Sequence, residues 1–474
     1  MGGRKDAAFA LSTGIAHLRR GEAAAAAQAL TSAVALQPDL VPAWVNLGVA
    51  RLKLGDIPGA VEACQRAVEI APQDPLAQVN LANVLLEAGR ADDALTAAQA
   101  AVSLASLRAD PWITLGHVRL AQGQLEDAQD AYEQALKRDP DRADIRTHLA
   151  DALRHQGRWD EALRVYDTAL EDPEARFGKG LVLLAQKEWA DGLELYENRS
   201  SLSGERNRAL FADRPLWDGS PLGERSLLVA WEQGFGDSVM FARFLTHLTA
   251  GRVTFSCQPA LCELMALSYP DVTVVSSDVP PPRTDLWAPL ASLPRLLNAR
   301  PDCLPPPRLT APQTQIALPP CEGLRVGLAW TSERAGRKVL KTAGLEAFTP
   351  LHDLPAVTFF GLQWGHGQDL SAWPNGVNVD ALLEGFAPTA ALLARLDLVI
   401  SVDTVTAHMA ASLGVPTWIV LPKGCDWRWG TDGETSLWYP SVRLFRQERP
   451  GDWGPVMARL THALGLFAPR PASS

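Results

Sequence analysis

Asp237 closes the segment 232–237, EQGFGD, which follows the apolar run 226–231 (SLLVAW) and precedes a helical stretch from Ser238 to about His247. A carboxylate at such a strand-to-helix turn stands where an acceptor hydroxyl can give up its proton. Gly234 and Gly236 let the backbone approach a ligand closely. The competing assignment is an N-cap aspartate in a tight turn, serving the helix alone.

A second group lies at 401–408, SVDTVTAH, where a buried run ends and a helix opens (404 to about 413). That helix N-terminus can hold a diphosphate through its unbonded N–H groups and its dipole. Asp403 precedes it, Thr404 and Thr406 add hydroxyl donors, and His408 sits one turn in. Capping plus a satisfied histidine is the structural alternative. Arg334, Arg337, Lys338 and Lys341 form a third group, four cations within eight residues of an acidic chain. They either neutralise phosphates or lie on a solvated loop. The segment 363–369, QWGHGQD, ends another strand and brings Asp369.

Placing these groups requires strands and helices in alternation. Apolar runs at 226–231, 253–257, 272–275 and 285–288 predict the strands of one lobe; those at 324–330, 357–363, 396–403 and 416–422 predict a second. Apolar strands separated by helices imply parallel sheets covered on both faces. Prolines cluster at 280–282, 305–307 and 319–320, the later two reading as a linker. The expected fold is α/β, with two Rossmann-like lobes of GT-B type. The N-terminal lobe is placed at 225–300, the linker at 301–322 and the C-terminal, donor-nucleotide lobe at 323–468.

Ahead of the lobes the chain is periodic. Gly21, Gly55, Gly89, Gly123 and Gly157 recur every 34 residues. Ala26, Ala60, Ala94, Ala128 and Ala162 keep that step, as do Ala33, Ala67, Ala101, Ala135 and Ala169. Glycine ends the first helix of a pair in a left-handed cap, and alanine fits where two helices cross closely. Pro38, Pro72 and Pro140 close second helices. Trp44, Leu47 and Gly48 open one unit and Trp112, Leu115 and Gly116 another. The pattern resembles the tetratricopeptide repeat and predicts an α superhelical array over 7–200, with a junction at 201–224. Five repeats are full. In a sixth, degraded unit Gly180, Trp189, Gly192 and Tyr196 echo Ala150, Trp159, Ala162 and Tyr166 after 30 residues, with Lys187 in place of the turn glycine. It reads as a cap or joint. In the family that these repeats resemble, the sixth position faces a concave groove. Here it carries Ser12, Asn46, Asn80, Thr114 and His148. These either hydrogen-bond an extended peptide or are simply polar exposed positions.

A net charge of -10 over 474 residues argues against non-specific nucleic-acid binding as the main role. The six cysteines form no CxxC pair and no cluster with histidine, so neither a zinc site nor a disulfide scaffold is expected. With no signal-peptide pattern and no run of ~18 apolar residues, no transmembrane segment is expected and the chain reads as cytoplasmic.

The combination of EQGFGD (232–237), GLAW (327–330), LQWG (362–365) and SVDTVTAHMAASLGVP (401–416) resembles glycosyltransferase family 9, the ADP-heptose lipopolysaccharide heptosyltransferases. It is similar above all to bacterial proteins in which repeats precede such a domain, through PLWDG (215–219), DWRW (426–429), WYP (438–440) and RLFRQ (443–447). The resemblance implies that Asp237 is a general base, and that Asp403, Thr404 and His408 hold a donor diphosphate; Gly236 and Thr406 are read as donor-binding beside them from the residues themselves. It implies a phosphate-binding lysine at Lys341 or Lys338, and donor contact by Asp369 where the family carries glutamate. That aspartate and the tryptophan-rich tail depart from the heptosyltransferases. The expected activity is inverting, metal-independent hexosyl or heptosyl transfer, without a cofactor, from a nucleotide sugar to a protein or extended acceptor recruited by the repeats. Two other readings stand beside it: a scaffold whose GT-B domain no longer catalyses, and a sensor that binds a nucleotide sugar without transferring it.

Overall fold

The computed structural model describes residues 2–199, 210–314, 316–321, 323–332, 343–363 and 370–467. They form two compact units, one of Met1–Gln156 and one of Gly157–Ser332 with Lys341–Ser474.

The first unit is a run of helices: Gly2–Arg19, Ala23–Leu36, Val41–Lys53, Ile57–Ile70, Pro75–Glu87, Ala91–Leu104, Ala109–Ala121, Leu125–Arg138 and Ala143–His155. The turn glycines of the periodic ladder have φ between +72° and +79°, a region in which a Cβ is strained. All ten ladder alanines are 0% exposed, including Ala162 and Ala169 of the second unit. A larger side chain at such a crossing would overpack it, at about 1–3 kcal/mol.

A further regularity joins residues of unlike chemistry. Trp44 Nε1 donates to the Pro38 carbonyl (2.9 Å), and Gln78 Nε2 to that of Pro72 (3.3 Å). Trp112 Nε1 donates to Ser106 (3.0 Å), Arg146 Nη1 to Pro140 (2.8 Å) and, in the second unit, Arg176 Nη1 to Leu170 (2.6 Å). Each donor reaches six residues back and satisfies a carbonyl just past the end of the preceding helix.

The second unit opens with helices Trp159–Tyr166, Pro173–Ala185 and Trp189–Tyr196. Four strands follow: β1 (Gly223–Ala230), β2 (Ala250–Cys257), β3 (Thr273–Ser276) and β4 (Leu286–Pro289), in the order β3-β2-β1-β4. A second sheet contains β5 (Leu324–Ala329), β6 (Val357–Gly361), β7 (Gly376–Asn378), β8 (Leu398–Ser401), β9 (Thr417–Leu421) and β10 (Val442–Arg446), in the order β10-β9-β8-β5-β6-β7. Every strand pair is parallel. The eight expected strands are present within a few residues of their predicted positions. β7 and β10 were not anticipated: β7 is only three residues long, and β10 (VRLFR) carries arginines, as suits the edge of a sheet.

Two local readings change. The helix after β1 begins at Phe235 and ends at Phe241, with a 3₁₀ turn Ala242–His247 completing the stretch expected from Ser238. Asp237 therefore lies inside the first turn. The degraded sixth unit keeps the repeat geometry, since Lys187 has φ +71°, the conformation of the turn glycines. This unit is built into the α/β part. Leu184, Ala185, Trp189, Leu193 and Tyr196 share one buried cluster with residues of both sheets, and Trp189 stacks on Trp438 at 5.2 Å. Among the described residues no helix is long and apolar enough to cross a membrane.

Candidate functional site at the carboxyl ends of the parallel strands

In parallel α/β sheets, ligands bind outside the carboxyl ends of the strands, where backbone groups are unpaired and helices begin. β1, β8 and β9 all direct their following loops to one place in the second unit.

The loop after β1 is held from the sixth repeat unit. Gln233 has φ +67°, strained for a side chain of its size, and its Oε1 accepts from the Tyr196 hydroxyl at 3.0 Å. Glu232 Oε1 accepts from Arg199 Nη2 (2.7 Å) and from the Ala291 N–H (3.2 Å). Arg199 is 3% exposed and also meets Glu197 and Ser292. Burial works against its charge, and Glu232 and Glu197 outweigh it, so its pKa rises. Burial pushes the Tyr196 hydroxyl up to about 12.

Gly234 caps the next helix, and Asp237 Oδ2 accepts from its N–H at 2.9 Å. The aspartate thus satisfies the helix end from within, not as the N-cap residue. Its other oxygen pairs with Arg428 Nη2, from the loop after β9. Arg428 Nη1 also donates to Asp426 Oδ1 (2.7 Å), and the guanidinium lies 5.0 Å from the Trp427 ring centroid and 5.7 Å from that of Phe241. Burial opposes the Arg428 charge; Asp237 and Asp426 overcome it and hold the guanidinium well above its ordinary pKa. Among the described residues Arg428 Nε has no hydrogen-bond partner.

The loop after β8 supplies the third part. Thr404 is the N-cap of helix Val405–Ser412. Its oxygen accepts from the Ala407 N–H (3.3 Å) and lies 2.8 Å from the Ser401 hydroxyl. Thr406 is buried. His408, also buried, stacks on Trp429 at 5.2 Å, with Nδ1 2.8 Å from the Tyr439 hydroxyl and Nε2 3.7 Å from Asp403 Oδ1. Gly236 is the close approach that joins the two helices, because a Cβ there would meet His408 Cδ2 at 2.9 Å.

The structure thus brings Gly236, Asp237, Asp403, Thr404 and His408 together, as a set of largely buried charged and hydrogen-bonding groups. Thr406 shares their helix and faces inward. Arg428 and Tyr439 were quoted in the sequence only as parts of motifs; no spacing rule ties either to its partner. Arg334, Arg337, Lys338, Lys341 and Asp369 lie outside the described residues.

In the first unit the sixth-position residues are not equivalent. Ser12 is exposed and donates to the Phe9 carbonyl at 2.8 Å. Asn46 and Asn80 donate to carbonyls of their own helices, Pro42 (2.7 Å) and Leu76 (2.8 Å). Thr114 is buried, unlike an exposed groove position. His148 packs edge-on against His117 at 4.6 Å and beside Tyr132 at 5.6 Å.

Comparison with known proteins places the repeats. Tetratricopeptide-repeat families match residues 11–75 with 113–173, and 51–110. Protein FlbA of Caulobacter vibrioides is 28% identical over 335 residues, 62% of this chain and 55% of FlbA. The chain therefore spans little more than half of that relative. Since the repeat helices end at Tyr196, a match of 335 residues reaches into the α/β part. Among solved structures, a thermophilic TPR protein in Thermus thermophilus has 26% identity and a TM-score of 0.35, covering 38% of this chain and 99% of that one. Pseudomonas aeruginosa pilF has 17% identity and a TM-score of 0.37, covering 44% and 99%. The N-terminal region is built of tetratricopeptide repeats, the arrangement of a protein-interaction scaffold.

Proposed function

We propose that this protein transfers a sugar from a nucleotide donor to an acceptor that its repeats recruit, using two GT-B lobes. One observation carries the reading: the loops after β1, β8 and β9 converge on a single, largely buried group made of Asp237, Arg428, Asp403 and His408. The likeness of the same segments to glycosyltransferase family 9 supports it.

In this reading the acceptor oxygen attacks the anomeric carbon, and its proton passes to Asp237. The bond from that carbon to the nucleotide diphosphate breaks. The helix end at Thr404, with Lys338 or Lys341, stabilises the departing charge without a metal. A donor diphosphate competes with Asp237 for Arg428, so donor binding would free the carboxylate to act. The repeats hold a protein or extended acceptor, with Asn46 and Asn80 as backbone ligands.

The test is the melting point of the full chain against ADP-, GDP-, UDP- and CMP-sugars, with and without EDTA. A ligand that binds only the native state raises it. A rise with one nucleotide class, unaffected by EDTA, names the donor. Asp237→Asn should then keep that rise and lose turnover.

The Asp237–Arg428 pair also favours a second reading, a scaffold with a non-catalytic α/β domain. There the pair is permanent and structural. No rise with any nucleotide sugar at about a thousandfold excess over a micromolar Kd would select it.

A further inference from the structure

We propose that Tyr439 fixes the tautomer of His408: its hydroxyl donates to Nδ1, so the ring proton sits on Nε2 and His408 acts as a hydrogen-bond donor beside Asp403. Tyr439 is then a positioning residue, acting through His408. For the identity of the ligand that His408 would meet, the idea rests on the sugar-transfer reading; the tautomer itself does not.

Four described groups surround the ring of His408. Trp429 stacks on one face at 5.2 Å and 25°. Gly236 lies against Cδ2 so closely that even a methyl group would not fit. Nδ1 is 2.8 Å from the Tyr439 oxygen, and Nε2 faces Asp403 Oδ1 at 3.7 Å. A neutral imidazole carries one N–H and one lone pair. A carboxylate oxygen at 3.7 Å favours an N–H on Nε2 but is too far to hold it there by a hydrogen bond, so the 2.8 Å contact at Nδ1 decides the tautomer. The lone pair is then on Nδ1, and the group hydrogen-bonded there must donate. A phenol can do so.

Tyr439 keeps its proton at neutral pH. It is fully buried, and burial raises its pKa even though the neighbouring Arg243 charge pulls it down. Arg243 is 1% exposed and its guanidinium lies 4.7 Å from the Tyr439 ring centroid. Three carbonyls anchor it: Met240 (2.9 Å), Trp438 (2.7 Å) and Pro305 (3.3 Å). Arg243 therefore holds the tyrosine by its face and by the backbone of its neighbour. At 3.7 Å the Nε2–Asp403 contact is longer than a hydrogen bond, so the N–H can serve a third oxygen. In the proposed transfer that oxygen belongs to the donor diphosphate. His408 in this tautomer donates a hydrogen bond and does not serve as the base.

The experiment is nitrogen NMR of the ligand-free full chain labelled at histidine, with His408 assigned by the signals lost in His408→Gln. The expected result above neutral pH is an unprotonated Nδ1 and a protonated Nε2. In Tyr439→Phe both shifts should move towards the average of the two tautomers. A protonated Nδ1 in the unsubstituted protein overturns the proposal, and so do His408 shifts unchanged in Tyr439→Phe. If that variant does not fold, the unsubstituted protein still tests the proposal, because a proton on Nδ1 would make Tyr439 the acceptor and overturn it. No nucleotide is present, so failure here and failure of the melting experiment are separate results.

Discussion

Arg428 reaches from the loop after β9 to Asp237 on the first turn of the helix after β1, and the same guanidinium holds Asp426. All three side chains are largely buried, at 10%, 14% and 18% exposure. Taking such charges out of water is costly unless each finds a partner. Here one planar cation serves two carboxylates with two of its nitrogens.

Arg428→Met should destabilise the second unit by about 3–5 kcal/mol, because it removes the counter-charge of two largely buried carboxylates. Adding Asp237→Asn to it should recover part of the loss. Urea unfolding of the single and double variants measures both. Equal loss in the two variants would mean that Asp237 does not depend on Arg428.

The sixth repeat unit should be inseparable from the α/β part. Trp189→Ala removes a ring stacked on Trp438 and should cost about 3–5 kcal/mol. A chain begun at Gly157 should fold cooperatively, whereas one begun at Leu210 should not. Circular dichroism and limited proteolysis distinguish them, and a stable fold for the shorter chain would refute the claim.

At Lys187 the chain holds a left-handed conformation that five equivalent positions give to glycine. Relief of Cβ strain should outweigh the extra chain entropy of glycine. Lys187→Gly should therefore gain roughly 0.5–1 kcal/mol, and Gly55→Ala should lose a similar amount. Thermal unfolding reads both, and a less stable Lys187→Gly would contradict the strain argument.

Asp397 links the second sheet across β5, accepting from Arg325 Nη2 (2.7 Å), Nε (3.0 Å) and the Arg325 N–H (2.9 Å). Burial alone would raise its pKa; the Arg325 guanidinium and N–H outweigh burial and hold it below the ordinary range. A folded-state pKa below the unfolded one stabilises the protein fully above the unfolded value, near pH 4. That stabilisation is lost as pH falls through the folded value. The stability deficit of Asp397→Asn should accordingly be constant from about pH 7 to about pH 5 and shrink below about pH 4. A deficit that is unchanged in acid would show that the pairing contributes nothing through charge.

The sequence by itself determined whatever depends on local periodicity. The 34-residue ladder of Gly21 and its successors specified helix pairs, because only glycine takes the left-handed turn without strain and only small residues fit the crossings. Apolar runs such as 226–231 and 416–422 specified buried parallel strands, because both of their faces are covered. The loops that carry Asp237 and His408 were legible for the same reason, as strand ends followed by helix starts. Only the tertiary structure decided what those residues meet. Arg428 pairs with Asp237, and Tyr439 with His408, through the packing of separate loops, and an arginine or tyrosine in a motif does not announce its partner. The common task of Trp44, Gln78, Trp112, Arg146 and Arg176 was hidden likewise, since a hydrogen bond to a carbonyl six residues back asks only for a donor of sufficient reach.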